Sequence, residues 1–470
     1  DNERVKAKFI EKKLESSAMG QNFLYYIDIE GIVQIDLLKY VQNNFKLGSY
    51  TLNNVSKEFM GQQKEDLTPE QLFDNYKRGT KDDIKEIAVY CVQDCALCNN
   101  LLNKLQVLPH NVGMGNVCLI PLSYLFLRGQ GIKITSLMGY FCAKSGFIIK
   151  DLQEEDIDRN SYEGAIVFPP KPGIYYDPIA VMDYASLYPS SMIAENISHD
   201  SIIGYKKYIY KPKVKKSLYD NKRHPEEYPE LFDLVEDTIN YKYDNLPDHT
   251  YNEIWYDIFT GKGDDKILIG VKMCKYAERT DGTKSTLPNI LMGLLKARRD
   301  TRKKMKYKTC TMKDGETLIG LYSKTDNPGE IKIENVESDK YLVQESDIVE
   351  CKDTYNAFQK DVLNGLQLAF KITCNSVYGQ VGAATSSVCY KELAASTTAV
   401  GRRMVILARD YTLEKYPGST LTYGDSVLGD EPILLKDKNG KIAIKTIETL
   451  SSEWREYKMF KPFDKDRTEK

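Results

Sequence analysis

The sequence is poor in cysteine. Ten in 470 residues are too few for a disulfide scaffold, and a reducing compartment is the default expectation. A long apolar run is also missing. The longest, Val117–Leu127, contains Pro121 and Ser123 and is too short to cross a hydrocarbon core of about 30 Å. Residues 1–17 are charged from the first position and hold no apolar core, so no secretory signal is read there. Neither sign of charge dominates: 65 basic residues face 67 acidic ones, a net −2. That argues against a uniformly basic nucleic-acid coat and leaves net charge silent about a polyanion partner. No internal repeat and no Gly/Ser- or Pro-rich linker divides the chain.

What is there describes a folded protein. Apolar residues at 42% and charged residues at 28% exclude disordered and collagen-like classes, and the length fits about three domains. The chain starts at Asp1 and stops in a charged run, FKPFDKDRTEK, and is expected to be a piece of something longer. Its 33 tyrosines, with abundant Lys, Asn and Ile, hint at an AT-rich genome. Cys91, Cys95 and Cys98 fall at i, i+4 and i+7 of a predicted helix. Without a second Cys or His pair nearby they read as buried thiols rather than zinc ligands.

Residues 28–100 mix short strands such as GIVQIDLL with helical stretches such as KDDIKEIAVYCVQDCALCNNLLNKLQ. Residues 117–145 read as helix, and 162–183 as strands around a PPKPG turn. Basic residues cluster at 206–216 and at 296–308, the second after an apolar run in which Pro288 is placed to start a helix. The pattern is strand-like and turn-rich over 309–355, then helical from about Tyr355 to Tyr378.

Four constellations carry chemistry. In PIAVMDYASLYPSSM, the apolar run Ile179–Met182 fits a buried strand with Asp183 at its end, where α/β sheets place ligands. An isolated Asp could equally cap a helix. In QLAFKITCNSVYG, Gln367, Lys371, Asn375 and Tyr378 share one helical face, an odd set for a core and a suitable one for a triphosphate and a base. Arg298 and Arg302 lie at i, i+4 in LLKARRDTR and could fork onto phosphates, though alone they are also a solvated charge run. STLTYGD ends a strand pattern in a turn with Asp425 at its tip.

In this order the four resemble the family B (eukaryotic delta-like) DNA polymerases. DYASLYPS looks like motif A, KITCNSVYG like motif B, and TYGD like the first half of motif C, normally Tyr-Gly-Asp-Thr-Asp-Ser. The stretches KLGSYTLNNVSKEFMGQQKEDL, IPLSYLFLRGQGIKITSL and YEGAIVFPPKPGIYYDPIA extend the likeness over residues 31–425. The composition points to a large DNA virus of the nucleocytoplasmic group, hence replication inside a host cell. The resemblance implies an α/β and α+β multidomain fold. Residues 1–115 would be the C-terminal part of an RNase H-like 3′–5′ exonuclease domain, and 116–178 a connecting segment. A right-hand palm would hold 179–285, the fingers 286–378, and the palm again 379–425.

The activity implied is phosphoryl transfer, in which a primer 3′-hydroxyl attacks the α-phosphate of a dNTP at two Mg²⁺ ions roughly 3.5–4 Å apart. Hard cations need oxygen ligands, which Asp183 and Asp425 would supply. By the resemblance, backbone groups of Ser186, Leu187 and Tyr188 hold the triphosphate, and the Tyr188 ring excludes a ribose 2′-hydroxyl. Arg298, Arg302 and Lys371 grip the phosphates, Asn375 supports that site, and Tyr378 packs near the nascent pair. Tyr162, Gly164 and Gly379 would contact DNA. Primer–template DNA and dNTP are the implied partners, with a sliding clamp for which no motif is visible.

The likeness has departures. Tyr90 and Asp94 match the third exonuclease motif, in which Asp94 binds a metal, but Asp28-Ile-Glu30 sits in the wrong setting for the first and is read as a decoy. Residues 201–285 and 309–355 exceed the core pattern and read as insertions. After Asp425 the expected Thr-Asp-Ser is replaced by SVLGDEPILLKDKNGKIAIKTIETL, two strand patterns around an Asn439-Gly440 turn. This resembles the opening of an intein of the all-β Hint fold over 426–470, with Ser426 as splicing nucleophile. A divergent motif C is the other reading; it would leave the second metal position without a carboxylate, and Glu431 is too far along to serve. The later intein blocks are absent from these residues, so the remaining intein and polymerase portions are expected in cis or in trans. The chain alone is expected not to splice and not to polymerise. Two rival readings stay open: a precursor whose activity is splicing, and a DNA-gripping relic without catalysis.

Overall fold

The computed structural model describes residues 7–16, 20–29, 31–45, 47–62, 67–148, 161–173, 175, 179–212, 224–261, 266–336, 339–424, 432–436 and 442–446. The chain forms two compact units, Asp1–Tyr162 with Tyr184–Thr397, and Glu163–Asp183 with Thr398–Lys470. The architecture is mixed α/β. Among the described residues no helix is long and apolar enough to cross a membrane.

In the first unit an antiparallel hairpin, β1 (Lys8–Ser16) and β2 (Gly20–Asp28), precedes seven helices. These are α1 (Leu37–Asn44), α2 (Leu52–Met60), α3 (Pro69–Arg78), α4 (Lys81–Lys104), α5 (Val107–Cys118), α6 (Leu122–Leu127) and α7 (Gly131–Ser145). Local chemistry sets their ends. Thr68 with Gln71 and Thr80 with Asp83 make capping boxes for α3 and α4, and Gly79 takes the left-handed conformation between them. GIVQIDLL does not form the expected strand, because the Asp36 carboxylate accepts from the Leu38 and Lys39 N–H groups and starts α1 inside it.

The cysteine expectation is also corrected: Cys91, Cys95 and Cys98 are exposed. The packed stripe of α4 runs through Asp83, Tyr90, Asp94, Leu97 and Leu101. Each cysteine follows one of its members and is turned about 100° away from the packing.

The strand β3 (Ser161–Tyr162) and helix α8 (Leu187–Ala194) lead into β4 (Ile202–Tyr210), β5 (Phe232–Asp237), β6 (His249–Thr260) and β7 (Ile267–Arg279). They form an antiparallel sheet of order β3-β6-β7-β4-β5. Helix α9 (Thr286–Lys304) follows, and a second sheet interrupts the chain before α10 (Ala357–Gly382). Its strands are β8 (Tyr307–Met312), β9 (Thr317–Lys324), β10 (Glu330–Glu334), β11 (Lys340–Gln344) and β12 (Ile348–Asp353), in order β11-β10-β9-β8-β12. The strand-like reading of 309–355 therefore resolves into one small sheet cored by Cys310, Met312, Leu318, Ile331 and Ile333. Cys310 and Cys351, opposite each other across β8 and β12, are joined in a disulfide that the low cysteine content gave no reason to expect.

Helix α10 packs along α5 and α7 through a core of Met114, Cys118, Leu137 and Ala369. A Cβ on Gly365 would lie 1.7 Å from His110 Cδ2, so the imidazole occupies space that only glycine leaves open.

Helix α11 (Lys391–Lys415) supplies residues to both units. In the second unit, Phe168 N–H donates to Gly424 O at 2.6 Å and Lys171 N–H to Thr422 O at 2.9 Å. The expected strand Ile179–Met182 does not form, and Ile179, Val181 and Met182 are exposed. An apolar run becomes a strand only where a neighbour pairs with it, and among the described residues no backbone hydrogen bond pairs Ile179–Met182 with another segment. A hairpin of β13 (Pro432–Lys436) and β14 (Ile442–Thr446) pairs antiparallel, as the apolar alternation predicts; its Asn439-Gly440 turn lies outside the described residues.

Candidate active site

Helix α8 opens on Ser186 in the left-handed region, φ 60°, with no side chain capping its first turn. A non-glycine residue held there is uncommon and clusters at functional turns. It brings Leu187 and Tyr188 into that first turn. The Tyr188 ring lies against Tyr378 of α10, with centroids 4.6 Å apart and planes at 35°. The Tyr378 side chain is hydrogen-bonded to the Tyr162 phenol, whose pKa is raised mainly by burial. A Cβ on Gly382 would sit 3.0 Å from Tyr162 Oη, so α10 approaches β3 closely. Tyr162, Tyr188 and Tyr378, far apart in sequence, thus share one aromatic cluster. Gly379, one residue beyond, is exposed with open space around it.

The α10 stripe divides in two. Gln367 is buried and serves another residue: its Oε1 accepts from Arg298 Nε at 3.3 Å, and its Nε2 donates to Asn364 Oδ1 at 3.0 Å. Lys371 and Asn375 are exposed. Arg298 is half-buried, and burial, then the charge of Arg302, lowers its pKa. Near it, burial pushes the Cys374 thiol up to about 12. Arg302 and Lys371 have no carboxylate partner among the described residues. Two cations left uncompensated beside a polar pair are suited to an anionic ligand.

In the second unit Asp183 is exposed and makes no hydrogen bond or ion pair among the described residues. Asp425 and Ser426 lie outside those residues; Gly424, beside them, is held against Phe168. Among the described residues no three His, Cys, Asp or Glu side chains are grouped to hold a metal. Tyr90 and Asp94 share the half-buried stripe of α4.

Gly164 is placed by residues that motif reading missed. Arg402 Nη1 donates to Glu163 O at 2.5 Å and to Gly164 O at 2.8 Å, and Thr398 Oγ1 donates to Glu163 O at 3.0 Å. Thr398 and Arg402 lie at i, i+4 of α11, a spacing that could have flagged one face with two donors.

Residues 120–319 and 346–426, together more than half of the chain, match the model of DNA polymerase family B. The chain belongs to that family. It is similar to the DNA polymerase of Pyramimonas orientalis virus, 41% identical over 90% of this chain and 37% of the relative. The DNA polymerase of Acanthamoeba polyphaga mimivirus is 31% identical over 87% of this chain and 29% of its own length. The DNA polymerase delta catalytic subunit of Candida albicans is 31% identical over 88% and 30%. The chain spans about a third of the length of these curated relatives.

Proposed function

We propose that the chain is part of a DNA-directed DNA polymerase that extends a primer 3′-hydroxyl with dNTPs on a DNA template, in the intracellular replication of a viral genome. The observation that carries this is the meeting of Tyr188 and Tyr378 at 4.6 Å, which joins the motif A turn to the motif B helix. On this reading the N–H groups of Ser186, Leu187 and Tyr188 receive the triphosphate, and Arg302 and Lys371 neutralise its charge. Arg298, steadied by Gln367, backs them from α9. The Tyr188 ring, backed by Tyr378, bars a ribose 2′-hydroxyl. Asn375 orders the same face, and Tyr162, Gly164 and Gly379 contact the duplex.

Asp183, an uncommitted hard-oxygen donor, fits a divalent cation, and Asp425 would be its partner. Mg²⁺ held there would supply the positive charge that in-line phosphoryl transfer requires. Asp94, with Tyr90, would serve the metal of a 3′–5′ exonuclease site, and a sliding clamp is a further partner. The test is single-nucleotide extension by the full-length protein. Asp183→Ala abolishes it while primer–template binding persists; normal extension by that variant refutes the assignment.

From Ser426 onward we read the start of an intein. Two observations support it: the family match stops at residue 426, and a strand pair, β13 and β14, follows. Ser426 Oγ would attack the Asp425 carbonyl, exchanging the amide for an ester and freeing the Ser426 amine. In the full-length protein, Ser426→Ala then prevents excision, seen as an unspliced mass. Splicing that continues in that variant removes the reading.

A further inference from the structure

Helix α9 has an unusual start. Its own N-cap, Ser285, makes no capping hydrogen bond. The cap comes from a loop far back in the chain, directly after α8. Asp200 accepts from Thr286 N–H at 3.2 and 3.0 Å with its two oxygens, and from Thr286 Oγ1 at 2.9 Å. Ser198 Oγ accepts from Leu287 N–H at 3.1 Å and donates to Asp200. Asn196 Oδ1 accepts from Ser285 N–H at 2.9 Å, while its Nδ2 donates to Ala277 O at 2.8 Å and Ser285 Oγ at 3.1 Å. Asn196 is itself buried and left-handed, φ 52°. Ile197 N–H returns to Met192 O at 2.9 Å, so the loop is welded to the end of α8.

We propose that Asp200, with Ser198 and Asn196, is a set of positioning residues for nucleotide binding. They fix the start of α9 to the end of α8, and so aim Arg302, which unlike Arg298 has no partner on α10, at the triphosphate that the first turn of α8 receives. The inference rests on the polymerase reading. Its force is leverage. Arg302 lies about 24 Å along the helix from Thr286 at ~1.5 Å per residue, so a tilt of about 5° swings it about 2 Å. Misplacements of about 1 Å can cost on the order of 100-fold in rate. A carboxylate at the helix N-terminus also opposes the macrodipole there, which an amide does not.

The test is a double-mutant cycle in the full-length protein, reading dNTP KM, kcat and primer–template Kd, with thermal stability measured alongside. Asp200→Asn is expected to raise dNTP KM on the order of tenfold, with DNA affinity unchanged. In an Arg302→Ala background the same change should move KM less than about twofold, since the side chain it aims is gone. Asp200→Glu, which keeps the charge, should recover part of the loss. Effects that multiply in the double variant, or an unchanged KM beside a lowered melting temperature, overturn the proposal and leave the polymerase reading intact. A wild-type protein that binds no dNTP overturns both.

Discussion

The two five-stranded sheets share an antiparallel plan but are fastened in different ways. In the sheet β3-β6-β7-β4-β5, two of the four pairings, β3-β6 and β7-β4, join strands that are not consecutive in the chain, and its centre is tied to α11 by buried polar groups. Lys272 Nζ meets Glu392 Oε1 at 2.9 Å with 3% and 12% of the side chains exposed, and it also lies 4.1 Å from the Tyr205 ring centroid. Fully buried Tyr276 donates to Ser396 Oγ at 2.9 Å. The sheet β11-β10-β9-β8-β12 is a meander whose last strand returns to its first, so the chain enters and leaves side by side; Thr354 N–H donates to Tyr307 O at 3.0 Å. Its core is apolar and its own. The family match runs through the first sheet and omits residues 320–345 of the second. A sheet fastened by desolvated charge has to keep its partners, whereas a sheet closed on itself can be carried between two helices.

That contrast can be broken by experiment. The largest effect is expected from Lys272→Met, which strands the Glu392 carboxylate and should cost about 3–5 kcal/mol of global stability. Chemical denaturation reads it, and a loss below 1 kcal/mol would erase the distinction between the sheets. Next is Cys351→Ser, which opens a crosslink between positions 41 residues apart and should cost about 2–4 kcal/mol under oxidising conditions. Hydrogen exchange should place that loss in residues 307–353 alone, and reductant should make wild type and variant alike; loss spread to β6 and β7 contradicts a self-contained sheet. Smallest is excision: replacing 309–352 by Asn-Gly between Lys308 and Asp353 should move the melting temperature of the remainder by less than about 3 °C. A larger drop means that the second sheet braces the first unit.

What could be read in advance depended on how local its cause was. Helix α10 was legible because its periodicity and its Asn356–Gln359 capping box lie within the segment itself. The strand character of 309–355 was legible, but the return of β12 to β8 was not, since alternation names strands and not their neighbours. Ile179–Met182 misled for the same reason. Whether a strand pairs with it is settled outside the run, and no described segment does. In the candidate site, spacing groups Gln367, Lys371, Asn375 and Tyr378 on one face, but it does not show that Gln367 Oε1 accepts from Arg298. The Asp200 cap on Thr286 spans 86 residues, and no window short enough to show helical periodicity contains both.

The ring of His110 in the gap at Gly365 also acts as a detent on the helix that carries Lys371 and Asn375. A shift of α10 by one turn, about 5.4 Å along its axis, brings Asp361 or Ala369 under the imidazole, and each carries a Cβ where Gly365 has none. The helix therefore has one seated position against α5 and no continuous series of them. Any travel along its axis must first lift the ring, so the spacing of Lys371 and Asn375 from the rest of the unit is indexed by a single missing methyl.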